Sequence, residues 1–139
     1  MDIRQVIAEL EGSAEIRERL AARIDGLVGW LKQVPREQLG TSEIPDQHKV
    51  AIREINLSSE WAEAAIRSAE AFAPGCVTAW EKLRANLESA GTGAPHWERF
   101  EAVAINIRAT FLLLRRTAAV LRSLAGQNAE PGAAADGGA

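Results

Sequence analysis

One apolar stripe runs unbroken from Trp97 to Ala125. Trp97, Phe100, Ala104, Ile107, Phe111, Leu114, Ala118, Leu121 and Ala125 follow at alternating steps of three and four. That spacing puts every one of them on a single face of an α-helix, whereas a strand would need alternation by two. At 1.5 Å per residue the stripe is about 40 Å long. Only other helices lying alongside can cover it over that length. Leu113, Val120 and Leu124 lie on a second face of the same segment, and Arg108, Arg115 and Arg122, spaced by seven, form a third. A surface helix of a monomer buries one stripe. Two apolar faces therefore predict a central helix, inside a bundle or between subunits.

The rest of the chain supplies partners of the same kind. Residues 2–34 carry two apolar stripes, Ile3-Val6-Ile7-Leu10 and then Ile16-Leu20-Ile24-Leu27-Leu31-Val34. The face changes at Gly12-Ser13, which predicts a kink there or a second helix capped anew at Ser13. Pro35 ends the element. Residues 35–46 read as a loop. A second helix is predicted from Asp46 to Ala73, with a mostly small inner face (Ala51, Ile55, Ser58, Ala62, Ala65, Ala69, Phe72). Small residues there allow close helix approach. Its outer face would carry Arg53, Glu60, Glu63, Arg67 and Glu70. Pro74-Gly75 breaks it, and a third helix follows from Val77 to Ala90, with Trp80, Leu83 and Leu87 inward. Gly91-Thr92-Gly93-Ala94 is a turn, and Pro95 suits the first position of the fourth helix. The expected fold is all-α: an antiparallel bundle of about four helices over 1–126, with 127–139 a disordered tail of Gly, Ala, Pro and Asp.

Composition narrows the function classes. With 47% hydrophobic residues and 25% charged, the chain is too apolar to be disordered. No apolar run approaches the ~20 residues of a membrane span. The start, Met1-Asp2-Ile3-Arg4, lacks a signal-peptide layout, and one cysteine cannot form an internal disulfide. These features lead us to expect a cytoplasmic protein. The net charge of −3 hides an asymmetry: residues 1–101 hold 12 basic and 17 acidic side chains, while 102–128 hold Arg108, Arg115, Arg116 and Arg122 and no acid.

Catalytic signatures are sparse. Glu15-x-x-Glu18, Glu60-x-x-Glu63 and Glu98-x-x-Glu101 are present, but a di-iron bundle also needs Glu-x-x-His, which the chain lacks. Glu60 and Glu63 read as solvated charges. The two histidines fall near helix starts at one end and Cys76 at the other, too far apart for a nucleophile pair. Cys76 reads as a small, partly buried hydrophobe. No phosphate loop, dinucleotide fingerprint or zinc motif occurs. No catalytic residue, cofactor or metal is therefore expected.

Binding offers two candidates. Helices two and four start at the same end, where His48, Lys49, His96 and Arg99 could cradle an anion or simply be ordinary surface polarity. The Arg108-Arg115-Arg122 stripe suits phosphate or carboxylate recognition. Alternatively it pairs with Glu9, Glu11, Glu15 and Glu18 of the first helix. Duplex nucleic acid is disfavoured for an acidic chain without a recognition helix.

Some residues resemble a known family. Gln47-His48 followed by Leu57-Ser58-x-Glu60 is similar to the start of the helical hairpin of phage cyclic-nucleotide sponge proteins, the anti-CBASS and Thoeris anti-defence group. Pro95-x-Trp97 resembles their turn into the next helix, and Ile107, Phe111, Leu114 and Arg116 resemble its Leu-x-x-x-Phe-x-x-Leu-x-Arg run. The resemblance spans about residues 47–118. It implies a small helical oligomer that sequesters cyclic nucleotides between subunits, with His48, Trp97, Phe111 and Arg116 at oligomer or ligand contacts.

Two functional expectations result. The first is a non-catalytic interaction protein that self-associates or docks a protein partner through its fourth helix, with Phe111, Leu113, Val120 and Leu124 at the interface. The second is an oligomeric sponge for an anionic nucleotide, using His48, Lys49, Trp97, Arg108, Arg115 and Arg116. A carboxylate metal-dependent enzyme is a remote third.

Overall fold

The computed structural model describes residues 2–38, 44–89 and 96–133, the side chains of 36, 87–89, 96 and 127–133 excepted. Four helices make up the fold: α1 (Ile3–Gln33), α2 (Asp46–Ala69), α3 (Cys76–Ser89) and α4 (His96–Ala133), with a short 3-10 turn at Arg36–Gln38. Packing runs round a ring in which α1 lies between α2 and α4, while α3 bridges α2 and α4 on the other side. This is the four-helix bundle that the periodicity predicts.

α1 begins with a capping box. Asp2 Oδ1 accepts from the Arg4 and Gln5 amides at 2.6 and 3.1 Å, and the Asp2 amide donates back to Gln5 Oε1 at 3.2 Å. These bonds satisfy donors that a helix start otherwise leaves open. The helix is continuous across Gly12-Ser13; Ser13 is buried mid-helix and caps nothing. The two stripes are thus accommodated in one long helix, the first against α2 and α4 near their far ends, the second toward their starts. α1 stops at Gln33 because Val34 adopts extended backbone ahead of Pro35 (φ −91°, ψ 123°).

α2 ends at Ala69, four residues before the predicted end, in a turn built around Glu70. Its carboxylate accepts from the Gly75 and Val77 amides, both at 2.9 Å, and so caps α3 from outside. Gly75 has φ 99°, which L side chains avoid. Gly75→Ala is expected to cost about 1–2 kcal/mol, read as a lowered midpoint in urea unfolding with an unchanged slope. α4 continues to Ala133, past the Gly126 boundary that the pattern suggests. The predicted turn at 91–94, Pro95 and residues 134–139 lie outside the described residues.

The core is split. One cluster joins Val6, Leu10 and Ala14 of α1 to Ala62, Ala65, Ile66 and Ala69 of α2, Trp80 of α3, and Leu114, Ala118 and Leu121 of α4. The other joins Leu20, Ile24, Leu27 and Leu31 to Ala51, Val103, Ala104 and Ile107. Between them lies a polar layer.

Candidate functional site

That layer is centred on Arg17, whose side chain is wholly buried, at 0% exposure. The sequence pattern runs its second stripe through Ile16, but Ile16 is only half-buried and Arg17 takes the inward position. Its Nε donates to Thr110 Oγ1 at 3.1 Å. Its Nη1 donates to Ser58 Oγ at 2.7 Å, Ser59 Oγ at 3.0 Å and the Ile55 carbonyl at 3.4 Å. Every partner is neutral. Burial without a counter-charge pulls the guanidinium down to about 10. Among the described residues Nη2 has no hydrogen-bond partner, and neither has Oδ1 of the buried Asn106, whose Nδ2 donates to the Leu83 carbonyl at 2.8 Å. Sequence reading misses this residue, although one signal was available. Arg17 falls in step with Leu10, Ala14 and Ile24 on the α1 core face, opposite the Ser58 that interrupts the alanine face of α2.

Beyond Ser59 a cleft of about 510 Å³ opens between α2 and α3, lined by Asn56, Ser59, Glu60, Glu63, Arg67, Trp80 and Arg84 among others. Glu63 is not the solvated charge expected. α3 packs across it. Trp80 Nε1 donates to Glu63 Oε1 at 3.0 Å, Arg84 reaches the same oxygen at 2.7 Å, and Arg67 binds Oε2 at 3.2 Å. The bond from Trp80, then those arginines, hold the carboxyl below its ordinary value of 4.5 against the opposing cost of burial. A depressed carboxylate stabilises the fold above its unfolded value, and that contribution is lost as pH falls below it. Glu63→Gln is therefore expected to cost about 1 kcal/mol near neutrality. The difference from the parent should shrink progressively as pH falls below 4.5; thermal unfolding from pH 7 to 3 checks it.

The arginine stripe of α4 meets α1. Arg122 forks onto Glu11 at 2.7 and 2.6 Å. Arg108 binds both oxygens of Asp25, one at 3.3 Å and the other closer. Arg122 thus pairs with one of the α1 acids that the sequence offers, Glu11, and Arg108 with a different one, Asp25. Arg115, midway, lies over the Phe111 ring at 5.6 Å and has no carboxylate partner among the described residues. Arg116 is exposed.

The predicted ligand set does not converge. His48 is buried, its ring 6.0 Å from that of Trp30 and its Cε1 packed over Gly26. Lys49 is half-buried beside it on α2. Trp97 lies under Lys32 Nζ at 4.6 Å. Arg115 and Arg116 are farther along α4 by about 27 Å at 1.5 Å per residue. His48, Trp97, Phe111 and Arg116 are spread along the bundle in the same way. Among the described residues, no group of three or more His, Cys, Asp or Glu is placed to hold a metal, and no helix is long and apolar enough to cross a membrane.

The expected interface is also redistributed. Phe111 and Leu113 pack against the core cluster and Leu124 is half-buried, so of the four only Val120 stays exposed. Besides Val120, the open apolar surface of α4 lies at Ile105 (65% exposed) and Leu112 (48%). These fall in one strip, Glu98, Ala102, Ile105, Ala109, Leu112 and Arg116, again at steps of three and four. The chain matches no protein-family model, no curated protein and no solved structure.

Proposed function

We propose that the chain is a non-catalytic interaction module that pairs with a second copy of itself through the outer strip of α4. The observation that carries this reading is the self-complementarity of the strip. An antiparallel pairing centred at position 107 sets Ile105 against Ala109 of the second copy and Ala102 against its Leu112. Large residues meet small ones throughout, as knobs-into-holes packing requires. The same register places Glu98 opposite Arg116 and Glu101 beside Arg115 of the second copy. α4 is acidic at its start and basic beyond, so only the antiparallel arrangement makes opposite charges meet. A two-fold interface of this kind closes on itself and yields a dimer.

The seam is about 27 Å long and about 10 Å wide, roughly 540 Å² over both faces, well below the roughly 1,200–2,000 Å² of standard interfaces, so association belongs near the micromolar range. A charge swap tests the register. Glu101→Arg alone should weaken the dimer by about tenfold, and adding Arg115→Glu should restore it. Weakening by both in sum would exclude the antiparallel register. Capture of an anionic cyclic nucleotide would use the same two arginines. It would appear as a saturable melting shift with a cyclic dinucleotide that Arg115→Ala/Arg116→Ala abolishes. A free thiol at Cys76 suits a reducing, cytoplasmic setting.

A further inference from the structure

The three hydroxyls around Arg17 are not equivalent. Ser58 Oγ donates to the Ile55 carbonyl at 3.2 Å, and Thr110 Oγ1 donates to the Ile107 carbonyl at 2.7 Å. The Ser59 hydroxyl accepts from Arg17 and has no acceptor for its own proton among the described residues. It is also the one of the three that lines the α2–α3 cleft. A hydroxyl that accepts from a guanidinium is polarised toward donation. The buried cation behind it has no carboxylate, so its field is not cancelled locally. Both facts favour an anionic acceptor at Ser59.

A bare anion does not fit the rest of the cleft. Arg67 and Arg84 are held on Glu63, and Glu60 lines the cleft beside them, so both signs are displayed within one small volume. The cleft's volume lies in the range of small-molecule sites, and Trp80 adds an apolar wall. We propose that this cleft binds a small zwitterion of the amino-acid class. Its carboxylate would accept a hydrogen bond from the Ser59 hydroxyl, backed by Arg17. Its ammonium would face Glu60. This site is separate from the outer strip of α4 and does not depend on dimerisation.

The test is NMR titration of the full chain with L-alanine, and with acetate and methylammonium as half-ligand controls. L-Alanine should move the Arg17 Nε–H and Ser59 amide signals saturably, and each control should bind at least tenfold more weakly. Ser59→Ala, which also takes one of the Nη1 partners from Arg17, should abolish the response at a temperature where the helical signal shows the fold kept. Glu60→Gln should weaken L-alanine but not acetate. Three results would overturn the proposal: no saturable shift with L-alanine, acetate binding as well as L-alanine, or an unchanged response in Ser59→Ala.

Discussion

Replacing Thr110 by Val is expected to destabilise the fold by about 1.5–3 kcal/mol, a fall of roughly 5–10 °C in the midpoint. The volume hardly changes, but Nε of a wholly buried guanidinium loses its partner at 3.1 Å. Ser58→Ala removes the 2.7 Å bond and should cost a similar amount. Arg17→Met behaves differently. It removes the uncompensated charge, and Ser58 and Thr110 keep their own bonds to the Ile55 and Ile107 carbonyls. Replacing buried ionic groups by apolar side chains of similar volume is often neutral or stabilising by about 1–4 kcal/mol. The variant should therefore be at least as stable as the parent. In the Arg17→Met background, Thr110→Val should cost little, giving a coupling of at least about 1 kcal/mol in the cycle. Equal costs in both backgrounds would show that the layer is not organised by the guanidinium.

Leu112→Arg is expected to weaken the dimer enough to leave the chain mostly monomeric at low micromolar concentration. In the isolated chain Leu112 is about half exposed, so the change should alter fold stability by no more than about 0.5 kcal/mol. In the antiparallel seam it faces Ala102 of the second copy, and a guanidinium placed there loses its water without gaining a partner. A penalty of about 2–3 kcal/mol corresponds to a roughly 30- to 150-fold weaker dimer. An unchanged helical signal with the mass of one chain would separate lost association from lost folding.

The general architecture can be read directly from the sequence because helical periodicity is a local property. The core stripe of α4 and the alanine face of α2 need only the positions of apolar residues. The misreadings come from tertiary contacts that no single helix encodes. Glu63 belongs to a run, Glu60, Glu63, Arg67 and Glu70, that looks like a solvated face; α3 crosses it and draws Glu63 onto Trp80. Leu113 looks like a free second face until α3 supplies neighbours for that side of α4. Ile105 and Leu112 are easy to overlook, since alanines and Arg116 dilute the strip between them. Arg17 is hidden for the opposite reason: arginine is read as polar and outward, and only the Ser58, Ser59 and Thr110 hydroxyls on two other helices make its inward position tolerable.

Self-association is the central claim, and sedimentation equilibrium tests it most directly. The unmodified chain should be run from about 1 to 200 µM, the range bracketing a micromolar dimer. The weight-average mass is predicted to climb from the 15.0 kDa of one chain toward twice that value, and in Leu112→Arg the same climb should begin only at concentrations at least about 30-fold higher. A mass of 15.0 kDa at every concentration would contradict the account.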